Sequence, residues 1–307
     1  MIEELKSIVA GFLSAEHGDA VRIFHGRGHR YPGLEHVCVD WYSPSVLITM
    51  FDEFDQLDEL HRCIEESDRH RQVKSIVVQK RFERGAPALA LKGVINEQLI
   101  VSEGKLRFEV HFGQHQNIGL FLDTRLLRDW LLNNSEDKNI LNLFAYTCSL
   151  SVAALAGGAS GVTNVDMSRP SIQWGEKNHR LNEQDMKKVK SIPHNVYKSW
   201  GRIHQFGRYD LVIIDPPTRQ KGSFDVSKNY PSLIKRMTKL CNPGAEIIAT
   251  VNSPFLDESF LPELFERHLP QSKLLGNMDV APEFLDEFPE RGLKIYRFLY
   301  EPDRAPL

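Results

Sequence analysis

Two segments of this 307-residue chain end in polar side chains that could hold a charged small molecule. The first, residues 141–149, is an apolar run followed by the loop Phe-Ala-Tyr-Thr-Cys-Ser. The second, residues 209–218, contains Leu-Val-Ile-Ile followed by Asp215-Pro216-Pro217-Thr218. Such short apolar runs are typical of buried parallel strands, and open α/β sheets bind ligands at the carboxyl ends of those strands. The two loops are therefore predicted to meet at one edge of a sheet.

The chemistry expected at this edge follows from two acidic residues. Asp166 closes another apolar run roughly 20 residues after the first loop, a spacing that suits a ribose with its two hydroxyls. Asp215-Pro-Pro makes a rigid turn, because two prolines fix φ and remove two backbone donors. Together these features predict an S-adenosylmethionine (SAM) methyltransferase. The alternatives are a helix-starting role for Asp166 and a purely structural role for the Asp-Pro-Pro turn.

A nicotinamide-dependent enzyme is disfavoured by the first loop. Such enzymes place Gly-x-Gly-x-x-Gly directly after the first strand. Here no glycine occurs until Gly157 and Gly158, which follow the next predicted helix.

Residues 141–182 resemble the SAM-binding core of bacterial 23S ribosomal RNA large-subunit methyltransferases. They most resemble the guanine-N7 half of the bifunctional enzyme that also makes N2-methylguanine. The match continues through 215–218 and 224–226 and back to 119–125. The related cytosine-C5 methyltransferase shares the Phe-Leu-Asp-x-Arg segment at 121–125. The resemblance, over about residues 105–300, implies an α/β fold with a Rossmann-like class I methyltransferase sheet, SAM as cofactor and RNA as substrate.

The resemblance also assigns cofactor contacts. Amides of the first loop, at a helix N-terminus, would face the methionine carboxylate of SAM. Asn195 stands where relatives carry an Asp for the adenine amino group, and its amide oxygen can still accept that bond. The predicted cofactor-binding residues are Asp123, Arg125, Phe144, Ala145, Tyr146, Thr147, Cys148, Ser149, Asp166, Met167, Asn195 and Asp215.

Two of these assigned residues have alternative roles, and a third departs from the pattern of the family. Asn195 could equally be an ordinary loop asparagine, and Asp123 could be a helix N-cap beside a solvated Arg125. The family usually has glycine where Cys148 stands, and any other residue restricts the backbone there. Gln114 and Asn117 occupy a loop that flanks SAM in the relatives.

The base is predicted by elimination around the catalytic segment Asp215, Pro216, Pro217 and Thr218. Cytosine C5 methylation needs a cysteine after the strand that follows this segment, and residues 250–254 contain none. Enzymes that methylate exocyclic amines carry an aromatic residue where Thr218 stands. Guanine N7 has a free lone pair and needs neither group. Thr218, Asn252 and Ser253 would supply hydrogen bonds to the guanine, and Phe224 would stack on it.

Two basic-aromatic clusters before the predicted methyltransferase core favour contacts with RNA phosphates. Their members predicted to bind substrate are Arg27, Arg30, Arg81 and Arg84. Ordinary solvated loops are the alternative for both clusters. A methyltransferase for a small molecule or a protein, or a SAM-binding RNA module without catalysis, are the alternative functions.

Composition narrows the setting. The formal net charge of −3 gives no global basic field for nucleic acid, so local patches would have to hold RNA. The four cysteines have neither disulfide nor metal spacing, which fits a reducing cytoplasm. No signal peptide or apolar run of about 20 residues is present. A soluble cytoplasmic protein without metal or membrane segment is expected, and its oligomeric state stays open.

The pattern of elements predicts three regions. Residues 1–92 form a smaller N-terminal α/β domain predicted to bind RNA, 93–111 a β-hairpin linker, and 112–307 the methyltransferase domain. Within the last, a helix over 229–241 is expected to stop at Asn242-Pro243-Gly244. Residues 293–300 are expected to form an antiparallel strand at the far side of the sheet.

Overall fold

The computed structural model describes residues 2–113, 115–220 and 224–302, so Gln114 lies outside the described residues. These residues form two compact units. The first holds the chain up to Asp123 together with Ala281–Phe288, and the second holds Thr124–Val280 together with the chain from Pro289 onward. The division at residues 92 and 111 remains a prediction about domains.

The first unit contains a five-stranded sheet and a separate β-hairpin. Its elements are α1 (Ile2–Leu13), β1 (Val21–His25), β2 (Val37–Tyr42), β3 (Ser45–Met50), α2 (Leu57–Ser67), β4 (Ser75–Lys80), β5 (Ala88–Lys92), β6 (Leu99–Glu103) and β7 (Leu106–Val110). The strands lie in chain order, and only β3 and β4, joined through α2, are parallel. The apolar faces of both helices pack with the sheet into one core that includes the buried Trp41. The predicted hairpin is β6 and β7.

The second unit is built around a seven-stranded sheet. Its elements are α3 (Arg125–Asn134), β8 (Asn139–Leu143), α4 (Ser149–Ala156), β9 (Gly161–Asp166), α5 (Arg169–Leu181), β10 (Val189–Pro193), α6 (Trp200–Gln205), β11 (Tyr209–Ile214), β12 (Arg219–Gln220), β13 (Phe224–Asp225), α7 (Val226–Ile234), α8 (Met237–Leu240), β14 (Cys241–Asn252), α9 (Phe260–His268), β15 (Ser272–Met278) and β16 (Leu293–Tyr300).

Strand order in this sheet, β10-β9-β8-β11-β14-β16-β15, decides where a ligand can bind. The strands from β10 to β14 are parallel, and β16 runs antiparallel to both of its neighbours. The chain builds outward from β8 to β10 and then returns to the other side of β8 with β11. Such a reversal opens a crevice at the carboxyl ends of the two central strands, where α/β sheets bind ligands. The loops after β8 and β11 flank this crevice.

Two local predictions were wrong. The helix expected to stop at Asn242-Pro243-Gly244 already ends as α8 at Leu240, and those three residues lie inside β14. They form a bulge, because the pairing of β14 with β11 jumps from Cys241 to Glu246. Gly244 accommodates the bulge with a φ of +79°.

The last strand is antiparallel as predicted, but it is not at the side of the sheet. β15 covers it, and most residues of β15 are exposed or half-buried. Because that strand shows no clean alternation of apolar and polar residues, the sequence pattern did not indicate it. Across the described ranges, no helix has the length and apolar character needed to cross a membrane.

Candidate functional site

The loop after β8 has an unusual backbone. Phe144, Tyr146 and Cys148 have φ values of 61°, 46° and 63°, in the left-handed region that side chains disfavour. Each such residue costs about 1–3 kcal/mol, and residues of this kind cluster at binding sites. Glycine, which the resemblance leads us to expect at position 148, would adopt this conformation without strain, and Cys148 adopts it as well.

Cys148 is accommodated by a gap in α5. Its side chain is 1% exposed and packs against Ala145 and Ile172. A Cβ atom at Gly175 would overlap the Cys148 Sγ and lie 2.8 Å from the Cys148 Cβ, so the thiol fills space that this glycine leaves. Burial raises the pKa of the Cys148 thiol, which therefore stays neutral. Cys148 acts as a packing residue here.

Asp166 at the end of β9 ties two loops together. Its Oδ2 accepts the Tyr146 N–H at 3.0 Å and its Oδ1 accepts the Ser168 N–H at 2.8 Å. Each carboxylate oxygen keeps a further acceptor position, as a ribose with two hydroxyls requires. Burial raises the pKa of Asp166, and the two backbone bonds oppose that shift. Ser168, and not Asp166, is the N-cap residue of α5.

Asn195 and Met167 lie beside Asp166 at the same sheet edge. Pro193, the last residue of β10, pairs with Asp166, and Asn195 follows two residues later. The Asn195 Oδ1 accepts the Tyr197 N–H at 2.8 Å, as an ordinary loop asparagine would. Met167 is 44% exposed, which leaves an apolar side chain available to an adenine. The contact of Asn195 with adenine and the contact of Met167 with the cofactor remain predictions.

Asp215 is held between β8 and β14. Its N–H approaches the Leu143 carbonyl oxygen at 3.5 Å, and its Oδ1 accepts the Thr250 hydroxyl. Below it, the buried Tyr230 hydroxyl contacts the Thr250 and Ile214 carbonyl oxygens at 2.9 and 3.2 Å. Burial raises the pKa of Tyr230 well above its ordinary value, so this phenol remains a hydrogen-bond donor. Asp215, which directly follows β11, is thus held in place by residues of β8 and β14.

The turn after Asp215 is fixed to the end of β14. Pro216 is buried, whereas Pro217 and Thr218 are exposed. The Thr218 hydroxyl donates to the carbonyl oxygen of Asn252, the last residue of β14. This bond joins the two segments predicted to face the substrate base.

The other residues predicted to contact the base differ in exposure. Asn252 is exposed, but Ser253 is only 2% exposed. Phe224 is 3% exposed, and its ring packs edge-on against Phe144 with a centroid distance of 5.1 Å. Stacking of Phe224 on a base therefore remains a prediction that would require its ring to be uncovered.

The sequence of the chain matches that of a known protein family. The S-adenosylmethionine-dependent methyltransferase family matches residues 21–299 of the chain. The chain belongs to this family. The predictions of a SAM-dependent methyltransferase with a class I fold and SAM as the cofactor are thereby confirmed.

The curated relatives align with part of this chain, and the aligned region is a smaller part of their own length. The ribosomal RNA large subunit methyltransferase K/L of Shewanella pealeana is 39% identical over 160 residues, which are 50% of this chain and 22% of that protein. The protein of the same name from Legionella pneumophila is 32% identical over 229 residues, 73% of this chain and 31% of that protein. The chain thus spans less than a third of the length of these relatives.

Solved structures share the fold over nearly the whole chain. A methyltransferase complexed with SAH, the demethylated product of SAM, is 26% identical with a TM-score of 0.82. The alignment covers 97% of this chain and 79% of that one. A SAM-dependent methyltransferase from Streptococcus mutans, 24% identical with a TM-score of 0.81 over 97% and 81% of the two chains, has the same fold.

The residues of this crevice fit SAM. The cofactor supplies a methyl group on a positively charged sulfur. Asp166 offers the paired acceptors for its ribose, and the first turn of α4 presents backbone amides that have no partner within the helix to a carboxylate. These residue roles remain predictions, because they rest on position and hydrogen-bonding capacity.

Two predicted cofactor residues lie at the unit boundary. Asp123 is the last residue of the first unit before Thr124, and Arg125 begins α3 in the second. Thr124 occupies the N-cap position of α3 without a capping bond from its side chain, and Asp123 directly precedes it. A role for Asp123 and Arg125 at SAM is still a prediction.

The predicted substrate arginines all belong to the first unit. Arg27 lies in a 3₁₀ turn after β1, and Arg30 follows it. Arg81 and Arg84 follow β4. Arg27, Arg30 and Arg84 are exposed, whereas Arg81 is partly buried.

Sequence reasoning missed one exposed ring at the site. Phe255 is 91% exposed and lies three residues beyond Asn252. Its N–H donates to the Ser253 hydroxyl at 3.3 Å, which shapes this loop. The available signal was an aromatic residue in a loop that directly follows a buried strand, where polar residues are usual.

The fit between Cys148 and Gly175 yields a prediction. Gly175→Ala should lower the free energy of unfolding by about 1–3 kcal/mol, the usual cost of overpacking, and weaken SAM binding because the loop must move. Cys148→Gly should rescue much of both losses in the double variant. Urea unfolding and calorimetric titration with SAM would measure them.

The control for this experiment is Gly201→Ala, because an added Cβ at Gly201 meets nothing within 4 Å. This substitution should not weaken SAM binding. If the effects of Gly175→Ala and Cys148→Gly simply added, the proposed complementarity between the two residues would be wrong.

Proposed function

We propose that this chain transfers the methyl group of SAM to RNA, with large-subunit ribosomal RNA as the substrate and guanine N7 as the favoured atom. The observation that carries the proposal is the rigid turn at Asp215–Thr218, joined to Asn252 and placed beside the loop bound to Asp166. The names of the curated relatives support ribosomal RNA. Such a substrate would place the protein in the bacterial cytoplasm.

The chemistry available at this turn favours guanine N7. Its lone pair attacks the methyl carbon directly, the bond from that carbon to sulfur breaks, and no proton must leave first. Positioning is then the main requirement, and it can supply ~7–11 kcal/mol of the barrier. Asp215 and Thr218, each held by a hydrogen bond to β14, suit that work.

Cysteine placement supports the elimination of cytosine C5. Cys148 is buried beneath the first loop, and Cys241 is the first residue of β14, at the opposite end of that strand from Asn252. Burial raises the pKa of Cys241 to about 12, so its thiolate is scarce. Neither thiol suits the covalent step on cytosine C6.

The base needs an aromatic surface, and Phe255 is the better placed ring. Phe224 is covered by its neighbours, whereas Phe255 is exposed near Asn252. Stacking on an aromatic side chain contributes about 1–3 kcal/mol per base. We therefore assign base stacking to Phe255 ahead of Phe224.

Nucleoside analysis of ribosomal RNA tests the function. A strain that lacks this gene should lose 7-methylguanosine from one site of the large-subunit RNA, and the purified chain with SAM should restore it. Add-back of Phe255→Ala should restore it more slowly. Mass spectrometry of the digested RNA measures each result.

Other outcomes would contradict the proposal in different ways. Loss of 5-methylcytidine would overturn the elimination of cytosine C5. An unchanged nucleoside profile would move the substrate away from ribosomal RNA and favour a small molecule or a protein. RNA binding without any methyl transfer would favour a non-catalytic module.

A further inference from the structure

Two arginines of the first unit converge on a single aromatic ring. The Cζ atoms of Arg27 and Arg81 lie 4.3 and 5.4 Å from the centroid of the Phe51 ring. Arg27 follows β1, Phe51 follows β3 and Arg81 follows β4. Three separate strand ends therefore build this group, which we call the Arg27–Phe51–Arg81 cluster.

The positive charge of this cluster is not balanced by a carboxylate. The two oxygens of the buried Asp40 bind Arg22, at 2.7 and 3.1 Å. Within the described ranges, neither Arg27 nor Arg81 forms an ion pair with an acidic residue. The exposed Asp52 and Glu53, which follow Phe51 in the chain, do not pair with them either.

The hydrogen-bond donors of the cluster are also incompletely used. Arg81 donates to the Asn117 Oδ1 at 3.4 Å, while its Nε is buried and has no hydrogen-bond partner in the described part of the chain. A buried donor without a partner costs about 1–3 kcal/mol. Stacking against Phe51 leaves the planar edge of each guanidinium, where the N–H groups lie, for another acceptor.

The neighbouring titratable groups respond to the same positive field. Burial, followed by the charges of Arg22 and Arg27, lowers the pKa of His25 to about 3. Its Nδ1 lies 2.7 Å from Arg22 Nη1, so the neutral imidazole accepts that bond. Burial lowers the pKa of Arg81, and the charge of Arg27 lowers it further. An anion bound beside Arg27 and Arg81 would offset this repulsion.

We propose that the Arg27–Phe51–Arg81 cluster is a preformed binding site for a phosphate group, filled by a phosphodiester of the RNA substrate; this inference rests on RNA being that substrate. The guanidinium fork matches the geometry of phosphate oxygens, and it binds them with short charge-assisted bonds. Arg30 and Arg84 are exposed, and among the described residues they form neither a cation–π contact nor a hydrogen bond, so they are solvated charges. They are the matched controls.

Fluorescence anisotropy with a labelled single-stranded RNA of about 20 nucleotides tests the site on the full chain. Arg27→Gln and Arg81→Gln should each weaken binding about tenfold, and each should reduce the slope of log affinity against log salt by about 0.7. Arg30→Gln and Arg84→Gln should change affinity by less than about twofold, as expected for solvated charges. Equal losses in all four variants, or none in the first two, would overturn the proposal.

Inorganic phosphate separates a site for RNA from a site for a free anion. It should raise the melting temperature of the unaltered chain above that in chloride of equal ionic strength, and it should not do so in the Arg27→Gln/Arg81→Gln variant. If phosphate stabilises the chain but RNA affinity is unchanged in both single variants, the site binds a free anion and the phosphodiester assignment is wrong.

Two further measurements separate loss of RNA binding from loss of folding and from loss of catalysis. Arg81→Gln should keep its melting temperature, since it removes an unpaired charge, and the exposed Arg27 provides an independent variant if it does not. Methyl transfer to ribosomal RNA is assayed separately. Transfer that persists at saturating RNA in the arginine variants supports the proposed function whether or not the cluster binds RNA.

Discussion

Asp215→Asn is expected to lower the rate of methyl transfer at least about 100-fold while SAM still binds. The substitution keeps the shape of the side chain but removes its charge and one of its two oxygen acceptors. Asp215 accepts the Thr250 hydroxyl and begins the turn that joins Thr218 to Asn252, so its loss should displace the substrate base. A misplacement of about 1 Å can cost about 100-fold in rate.

Single-turnover transfer from radiolabelled SAM to RNA measures the rate, and calorimetry measures SAM affinity. The matched control is Asp210→Asn, on the same strand. Asp210 accepts from the Asn139 N–H and the Asn242 amide at 2.9 and 2.7 Å, at the opposite end of β11. A rate in Asp215→Asn no lower than in Asp210→Asn would exclude Asp215 from catalysis.

Asp166→Ala is expected to weaken SAM binding by about 1–3 kcal/mol, up to about 100-fold. The ribose would lose both acceptors, and the N–H groups of Tyr146 and Ser168 would lose theirs. Titration calorimetry with SAM and with SAH measures the loss. Unchanged affinity would show that Asp166 does not bind the ribose.

The raised pKa of Asp166 predicts how SAM binding depends on pH. Ribose hydroxyls donate to the carboxylate, so they stabilise its charged form and lower its pKa in the complex. Affinity should therefore be constant above the pKa of the free protein and fall as pH drops through it, by up to about tenfold per unit. Asp166→Asn should abolish this dependence over the range in which circular dichroism shows the chain folded. An identical profile in both proteins would assign the titration to another group.

The sequence by itself determined the sheet and its ligand-binding edge. The short apolar runs of β8, β9 and β11 are typical of buried parallel strands, and the residues that end parallel strands lie at one edge of the sheet. Asp166 and Asp215 do lie there. Spacing is sufficient for this because strands that alternate with helices in the sequence pair in parallel through crossover connections.

Tertiary structure alone decided which side chains are available at that edge. Phe224 and Phe255 both read as aromatic loop residues, yet packing covers the first ring and leaves the second exposed. Cys148 departs from the glycine that the resemblance leads us to expect, and Gly175 on another helix makes room for its thiol. Such fits depend on contacts between residues far apart in the chain, and spacing carries no record of them.

The arginines of the first unit show the same limit. The sequence placed Arg27 and Arg81 in two separate basic clusters, with Arg30 and Arg84 as their equals. The fold brings Arg27 and Arg81 to Phe51, whereas both oxygens of the buried Asp40 bind Arg22. Charge can be counted from a sequence, but the distance between charges, which sets their energy, is decided by how the strands pair.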